Sequence, residues 1–412
     1  MSEHTHRRPR WLSQEYLGYL GLALFLVAAL LYSFQQAARV DEGVHFDQIR
    51  RFFSGDFTLE PTLTNIAGYH LLMAGLSHLY GTTSLPVVRS LNAAFGGILI
   101  IVFALNMRAI HNSVPLGRVA QFAFLPILFP FFFLVYTEVL SVLLILLALL
   151  ATLRQRYVLA ILACGLSTLV RQPNIVWLLL LPLISNIQQH ERWPGINDLQ
   201  SIVAGFWPAA FVIIAFATFV ATNQGVALGD AGKHPGEFIP RVGNIFFLLL
   251  VYSIVFAPLV LGRMRQSVRY VCRNRIAVLV LVAAFLIYLF GFENTHPYNN
   301  AASEYFLRNC LLMTLSSSAF FKVVFFVPMA IAIMDLIAAP DFRRQRAAIL
   351  LVTALSLVPS WLIEQRYYII PFALLMLFRD EEAPWLENIN GLYAICTSAY
   401  LLNGIRDFRL FL

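Results

Sequence analysis

Long apolar runs separated by short polar breaks dominate the chain, and the breaks rather than the runs carry its charge. Inside hydrocarbon every backbone N–H and C=O must be paired within its own segment, so runs of this length predict helices. They fall near residues 17–37, 86–107, 119–135, 139–153, 157–170, 173–186, 202–222, 244–262, 276–292, 319–338, 347–363, 366–379 and 390–404. The pattern is that of an all-α polytopic membrane protein with about 12 to 13 transmembrane helices. The first run is roughly 20 residues long, the length of a full span, and reads as a retained helix rather than a cleaved leader. Between the first two runs lies a long polar stretch, 39–85, expected to be a helical first external loop. Within it, 43–54 sets Val44, Ile49, Phe52 and Phe53 among Asp47, Gln48, Arg50 and Arg51, the pattern of an interfacial amphipathic helix. The segment 65–80, with His70 and His78, is too short and too polar to cross and predicts a helix at the outer surface. No internal repeat or symmetric pair of broken helices points to a secondary transporter.

Composition agrees: 59% of the 412 residues are hydrophobic and 12% are charged, outside the range of soluble domains. The net charge of +7 sits in arginine clusters between the runs rather than along one basic face, so no nucleic-acid partner is expected. By the excess of basic residues in cytoplasmic loops, Arg7, Arg8 and Arg10 put the N-terminus inside. Arg108 and Arg118, Arg154 and Arg156, Arg263 to Arg275 and Arg343 to Arg346 share that side. The outer face then receives 39–85, 136–138, 171–172, 223–243, 293–318 and 364–366. Lysine occurs only at Lys233 and Lys322, an arginine-heavy usage that fits a bacterial chain, so the expected location is the bacterial inner membrane with this face toward the periplasm. Cys164, Cys272, Cys310 and Cys396 lie in or beside different runs without metal-type spacing, and His45, His70, His78, His234 and His296 show no i, i+4 ligand pattern. No metal and no cofactor are expected.

The chemistry-bearing residues gather on the expected outer face. Asp41 and Glu42 are adjacent carboxylates where the first span ends. They could simply end a helix in headgroup water, but the long aromatic and Gly-containing loop that follows reads as an ordered, functional cover. Arg171 opens "RQPNIVW", where Pro173 disfavours helix at the residue before it; a guanidinium fixed at such a break is either a charged turn or a bidentate phosphate ligand. Arg366 in "LIEQRYYIIP" presents the same choice, with Glu364 as a partner. The loop "TNQGVALGDAGKHPGEFIP", with Asp230, Lys233 and His234, lacks the strand-then-helix setting of a nucleotide phosphate loop and reads as a lid over a lipid-linked substrate.

Five stretches, in order, carry a family resemblance. "DEGVHFDQIRRFFSGDF" resembles the Asp-Glu-x-x-His, Gln, Arg and Gly-x-Phe pattern of the eukaryotic family that adds the terminal α-1,2-glucose to the dolichol-linked N-glycan precursor. "YTE" at 136–138, "RQPNIVW" at 171–177, "NQGVALGD" with His234 following, and "EQRYYIIP" at 364–371 are similar to that family in the same order, over roughly residues 40 to 380. Two stretches depart from it: "TLEPTLTNIAGYH" keeps Pro61, Gly68 and Tyr69 but not the family's Trp, and "YNNAASEYFLR" lacks the family's Arg and His.

The resemblance implies one GT-C-type transmembrane domain over 1–412 and an inverting transfer of a hexose, by analogy glucose. The donor would be a polyprenyl-phosphate sugar and the acceptor a glycan or glycolipid hydroxyl, both met at the bilayer. In that reaction a carboxylate takes a proton from the acceptor and cations stabilise the departing phosphate. Asp41 is the expected general base, with Glu42 the second candidate or a group orienting the acceptor. Arg171 and Arg366 are the expected phosphate ligands. Glu138 and Asp230 contact the sugar or orient the arginines, and His45, Gln172, His234 and Glu364 complete the substrate contacts. The competing reading is a lipid or solute transporter whose charges line a pathway.

Overall fold

The computed structural model describes residues 14–34, 36–229, 239–340 and 342–412. Among these the chain is helical throughout, with no β-strand and one isolated parallel bridge between Phe306 and Phe411. Two ends of a helical bundle organise it, and they are defined by which residues meet there.

At the first end, α1 (Gln14–Ser33) begins beside the start of α5 (Leu116–Ala123), with the Tyr19 hydroxyl donating to the Val114 carbonyl at 3.4 Å. His111, closing α4 (Leu85–His111), bonds the last carbonyl of α17 (Ile369–Leu377) at 2.7 Å. Arg118 donates to the Met376 and Arg379 carbonyls, and Arg379 pairs with Glu387 near the start of α18 (Pro384–Arg406). The turns carrying Arg118 and Arg379 therefore share one end with the start of α1. At the opposite end lie the C-terminus of α1, the start of α4 and the turns carrying Glu138, Arg171 and Glu364.

The remaining passes run between these ends: α6 (Glu138–Leu153), α7 (Tyr157–Val170), a 3-10 turn at 172–179 leading into α8 (Leu180–His190), α9 (Leu199–Phe206) with α10 (Ala209–Asn223), α11 (Gly243–Val255), α13 (Arg275–Gly291), α15 (Ala319–Ala338) and α16 (Arg343–Leu357). Each pass falls on one of the apolar runs. Few are single helices of spanning length, however. Among the described residues, α4 and α15 qualify by length and composition, and the pairs α9–α10 and α11 with α12 (Ala257–Arg273) qualify together but bend by 76° and 101°. The α6, α7 and α13 passes are shorter apolar helices.

The run at 119–135 departs from the expected helix. After α5 the chain makes turns and a short 3-10 segment at 129–132, so Pro126 and Pro130 end the regular helix early. The carbonyls this frees are met from another helix: the buried Asn92 amide of α4 donates to Phe131 at 2.7 Å and Leu134 at 2.8 Å.

In the long connection between α1 and α4, α2 (Glu42–Phe53) buries Glu42, His45, Gln48, Ile49 and Phe52, one helical stripe, and exposes Asp47 and Arg50. That stripe packs on α3 (Gly68–His78), which starts against the Leu169 carbonyl at the end of α7 and returns to α4 without crossing. The short α14 (Leu307–Ser316) lies at the same end. Outward-facing positions of α10, α13 and α15, including Phe211, Leu279, Phe290 and Phe320, are apolar, as a lipid-facing surface requires.

Candidate active site

Between α1 and α2 the backbone turns sharply: Val40 has φ of 48°, the left-handed region that a β-branched residue rarely adopts. The turn separates the two neighbouring carboxylates. Asp41 faces the bundle end with its side chain 49% exposed, while Glu42 is fully buried.

Asp41 Oδ2 accepts a hydrogen bond from Arg366 Nη2 at 3.2 Å. The same Nη2 reaches Glu364 Oε2 at 3.1 Å, and Arg366 Nη1 lies 3.7 Å from Glu138 Oε1. Arg171 bonds that same Glu138 oxygen, and Arg308, from the first turn of α14, bonds that same Glu364 oxygen. Arg171, Glu138, Arg366, Glu364 and Arg308 thus form an alternating chain, with Asp41 attached at its middle arginine. Glu364 is held from behind, its backbone N–H donating to Asn244 Oδ1 at 3.1 Å while the Asn244 amide donates to the Ser360 and Leu362 carbonyls. Burial alone would raise the Glu364 carboxyl, but Arg308 and Arg366 together hold it below its usual range.

Arg171 and Arg366 sit where the sequence breaks the helix. Arg171 has extended geometry (φ −145°) between α7 and the 3-10 turn begun by Gln172 and Pro173, and Arg366 lies in a matching 3-10 turn at 365–368 that leads into α17. Between these turns is a cavity of about 70 Å³. Glu138, Arg171, Asn174 and Arg366 form its polar part, and Trp177, Leu357, Ile369 and Ile370 extend it as an apolar wall. A charged head beside an apolar wall is the shape a lipid phosphate needs, though this volume holds only a few waters.

The other expected residues are distributed differently. Glu42 is a structural anchor: it takes Arg89 Nε at 2.8 Å and Nη2 at 2.7 Å, and also the Arg39 and Val135 backbone N–H groups at 2.9 Å. With four donors around it and no exposure, it is held inside the turn rather than facing the charged chain as Asp41 does. His45 is buried, its Nδ1 2.9 Å from His70 Nε2 and its ring edge-on to Tyr136. Burial, then Arg366 and Arg171, push His45 down to about 3, and burial followed by His45 pushes His70 well below its usual value. Both imidazoles are neutral, one donating to the other. Gln172 turns away from the charged chain and donates to the Thr64 carbonyl at 2.8 Å, fastening the first loop. Leu228 N–H donates to the same carbonyl at 3.0 Å, so the loop after α10 meets the first loop at Thr64. Asp230 and His234 lie outside the described residues.

Sequence reasoning passed over Arg89, Arg39 and Asn244. Arg89 had a signal, a fully buried arginine inside an apolar run, where a charge is costly and needs a partner.

This geometry coincides with a family assignment. A profile of the DIE2/ALG10 family matches residues 35–194 and 185–377, nearly the whole described bundle. The chain belongs to the DIE2/ALG10 family. Among curated relatives, the Arabidopsis thaliana protein named Dol-P-Glc:Glc(2)Man(9)GlcNAc(2)-PP-Dol alpha-1,2-glucosyltransferase is 24% identical, over 82% of this chain and 85% of its own length. Proteins of the same name from Candida albicans and Mus musculus are 26% and 24% identical, covering 77% and 84% of this chain and 75% and 86% of their own. No solved structure matches the chain. Every motif that carried the resemblance, from Asp41 to Pro371, falls inside the matched ranges of the DIE2/ALG10 profile.

Proposed function

We propose that this DIE2/ALG10 family member is a multi-pass membrane glycosyltransferase that moves glucose from a polyprenyl-phosphate donor to a hydroxyl of a lipid-linked glycan. The transfer inverts the anomeric centre, with the reacting end of the bundle on the outer face of a bacterial inner membrane and the N-terminus in the cytoplasm. The observation that carries the reading is the half-exposed Asp41 carboxylate in contact with Arg366, which itself lines a cavity with one polar and one apolar wall.

Arg366 and Arg171 bind the donor phosphate, and the isoprenoid follows the wall of Trp177, Ile369 and Ile370 toward the bilayer. The acceptor oxygen attacks the anomeric carbon, the bond from that carbon to the phosphate oxygen breaks, and the hydroxyl proton passes to Asp41. The electron pair leaves on the phosphate, where two guanidiniums receive the added charge. Glu138 and Glu364 keep those guanidiniums in place, Arg308 holds Glu364, and Glu42 with Arg89 fixes the turn that presents Asp41. His45, neutral and buried beside Tyr136, supports α2 from below. Asp230 and His234 are assigned to the sugar.

The test is incubation of the purified protein with polyprenyl-phosphate glucose and extracted envelope lipids, read by mass. The expected result is an acceptor heavier by one hexose, absent with Asp41→Asn. Passage of an unaltered donor or solute across proteoliposomes, with no mass change in any lipid, would instead establish the transporter reading.

A further inference from the structure

At the end of the bundle opposite Asp41, α12 turns by 101° from α11 and carries Arg265, Arg269 and Arg273 at four-residue spacing, a single helical stripe. α11 starts beside the site, where Asn244 bonds Ser360 and Leu362, and runs away for 13 residues, roughly 20 Å. Asn274 then caps α13 by accepting from the Ile276 and Ala277 N–H groups, which sets Arg275 next to the stripe. These four arginines and Tyr270 line a crevice of about 860 Å³, and Arg343 of α16 stands over the Tyr270 ring at 5.9 Å.

Four like charges in one crevice repel unless an anion separates them. The nearby carboxylates do not supply it: Asp335 and Glu382 are engaged by Arg263, and Glu387 by Arg379. Among the described residues no ion pair involves Arg265, Arg269, Arg273 or Arg275. Ile276 gives the crevice an apolar rim, and Leu261, Val268 and Leu279 of the same two helices are exposed as well. A soluble phosphate would satisfy the guanidiniums but leave that rim in water. A lipid satisfies both, because its headgroup phosphate meets the arginine forks while its acyl chains lie along the rim.

We propose that this crevice is a binding site for one anionic phospholipid, separate from the donor site. Its occupant neutralises the arginine stripe and holds α12 flat at the membrane surface, against α13 and α18.

Native mass spectrometry of the full-length, delipidated protein with equal amounts of phosphatidylglycerol and phosphatidylcholine tests this. The expected result is one phosphatidylglycerol retained at least tenfold over phosphatidylcholine, in the presence of equimolar inorganic phosphate. Arg269→Gln with Arg273→Gln lowers that retention at least tenfold, while Arg154→Gln with Arg156→Gln, at exposed arginines on the same end, leaves it unchanged. Equal retention of the two lipids by the wild-type protein would overturn the proposal whether or not any variant folds. Displacement by inorganic phosphate, or an equal loss in the Arg154 and Arg156 variant, would overturn it too, the first showing a soluble-anion site and the second general surface charge.

Discussion

Asp41 and Glu42 are chemically alike and adjacent, yet replacing each by its amide has opposite expected consequences. In Glu42→Gln the side chain keeps its shape but loses its charge, and one oxygen becomes an NH2. Four donors now converge on a group with one acceptor: Arg89 Nε and Nη2 and the Arg39 and Val135 N–H groups. At least one donor faces another donor, and Arg89, with no solvent exposure, is left as a buried charge without its counter-ion. Breaking a buried pair from one side costs about 3–5 kcal/mol. The ordinary remedy of removing both partners will not restore stability, because Arg89 also satisfies the Ser33, Gln36 and Ala37 carbonyls. Asp41→Asn, in contrast, removes one half-exposed contact to Arg366, a loss of about 0.2–1 kcal/mol.

The assay pairs thermal unfolding in detergent with glucose transfer at a temperature where both variants are folded. Glu42→Gln is expected to lower the melting midpoint by several degrees, with residual turnover per folded molecule. Asp41→Asn is expected to melt with the wild type and to lose about 10²–10⁴-fold in kcat, the contribution of a general base. A stable, inactive Glu42→Gln beside an active Asp41→Asn would exchange the two roles and refute the reasoning.

Three other outcomes follow from the geometry. Arg171→Lys replaces a planar fork by a point charge and is expected to raise the donor KM about tenfold while leaving kcat within a few-fold, measured by donor titration. His45 is depressed to about 3 in the folded protein, so the unfolded chain takes up a proton first as pH falls; stability is full above about 6.5 and is lost progressively below it, by ~1.4 kcal/mol at about pH 5.5, with His70 adding in the same direction. Thermal melts of wild type and His45→Gln at about pH 7.5 and 5.5 check this, the variant showing the shallower decline. At Gly229 a β-carbon would collide with the Pro61 carbonyl oxygen and lie 2.8 Å from that of Leu63, so Gly229→Val is expected to part these two loops and speed their proteolytic cleavage.

What the sequence made legible was the part governed by local pattern. The stripe of α2 and the polarity of α3 follow from residue spacing within single segments, and Pro173 marks the break that exposes Arg171. What it hid was settled by partners distant in the chain. Nothing in "FLPILFPFFFLVY" announces that Asn92, some forty positions earlier, will satisfy its carbonyls and let it leave the helix. Sequence ranks Asp41 ahead of Glu42 but gives no contact that separates them, because the residues that distinguish them, Arg366 and Arg89, come from other parts of the chain. Gln172 sits beside a phosphate-binding candidate in sequence, and the structure turns it to the Thr64 carbonyl instead.

The contact between Asp41 and Arg366 poses a problem for the proposed chemistry, and charge accounts for it. Arg171, Arg308 and Arg366 face Asp41, Glu138 and Glu364, three cations against three anions, so the resting cluster is neutral at a membrane edge where an unmatched charge would be costly. Of the three carboxylates, Asp41 is the most exposed and pairs with Arg366 alone, so it is the one an arriving donor phosphate displaces from Arg366. Displacement frees the Asp41 carboxylate from the guanidinium at the moment a donor is present and leaves it open to the acceptor hydroxyl. Transfer then leaves the total unchanged: Asp41 gains a proton as the phosphodiester becomes a doubly charged phosphate, and return of Asp41 to Arg366 helps expel it. Donor binding and readiness of the base are thus one event at Arg366. Arg366→Lys therefore loses kcat as well as donor affinity, whereas Arg171→Lys loses affinity alone; equal KM defects with kcat untouched in both would separate the two events and sink this coupling.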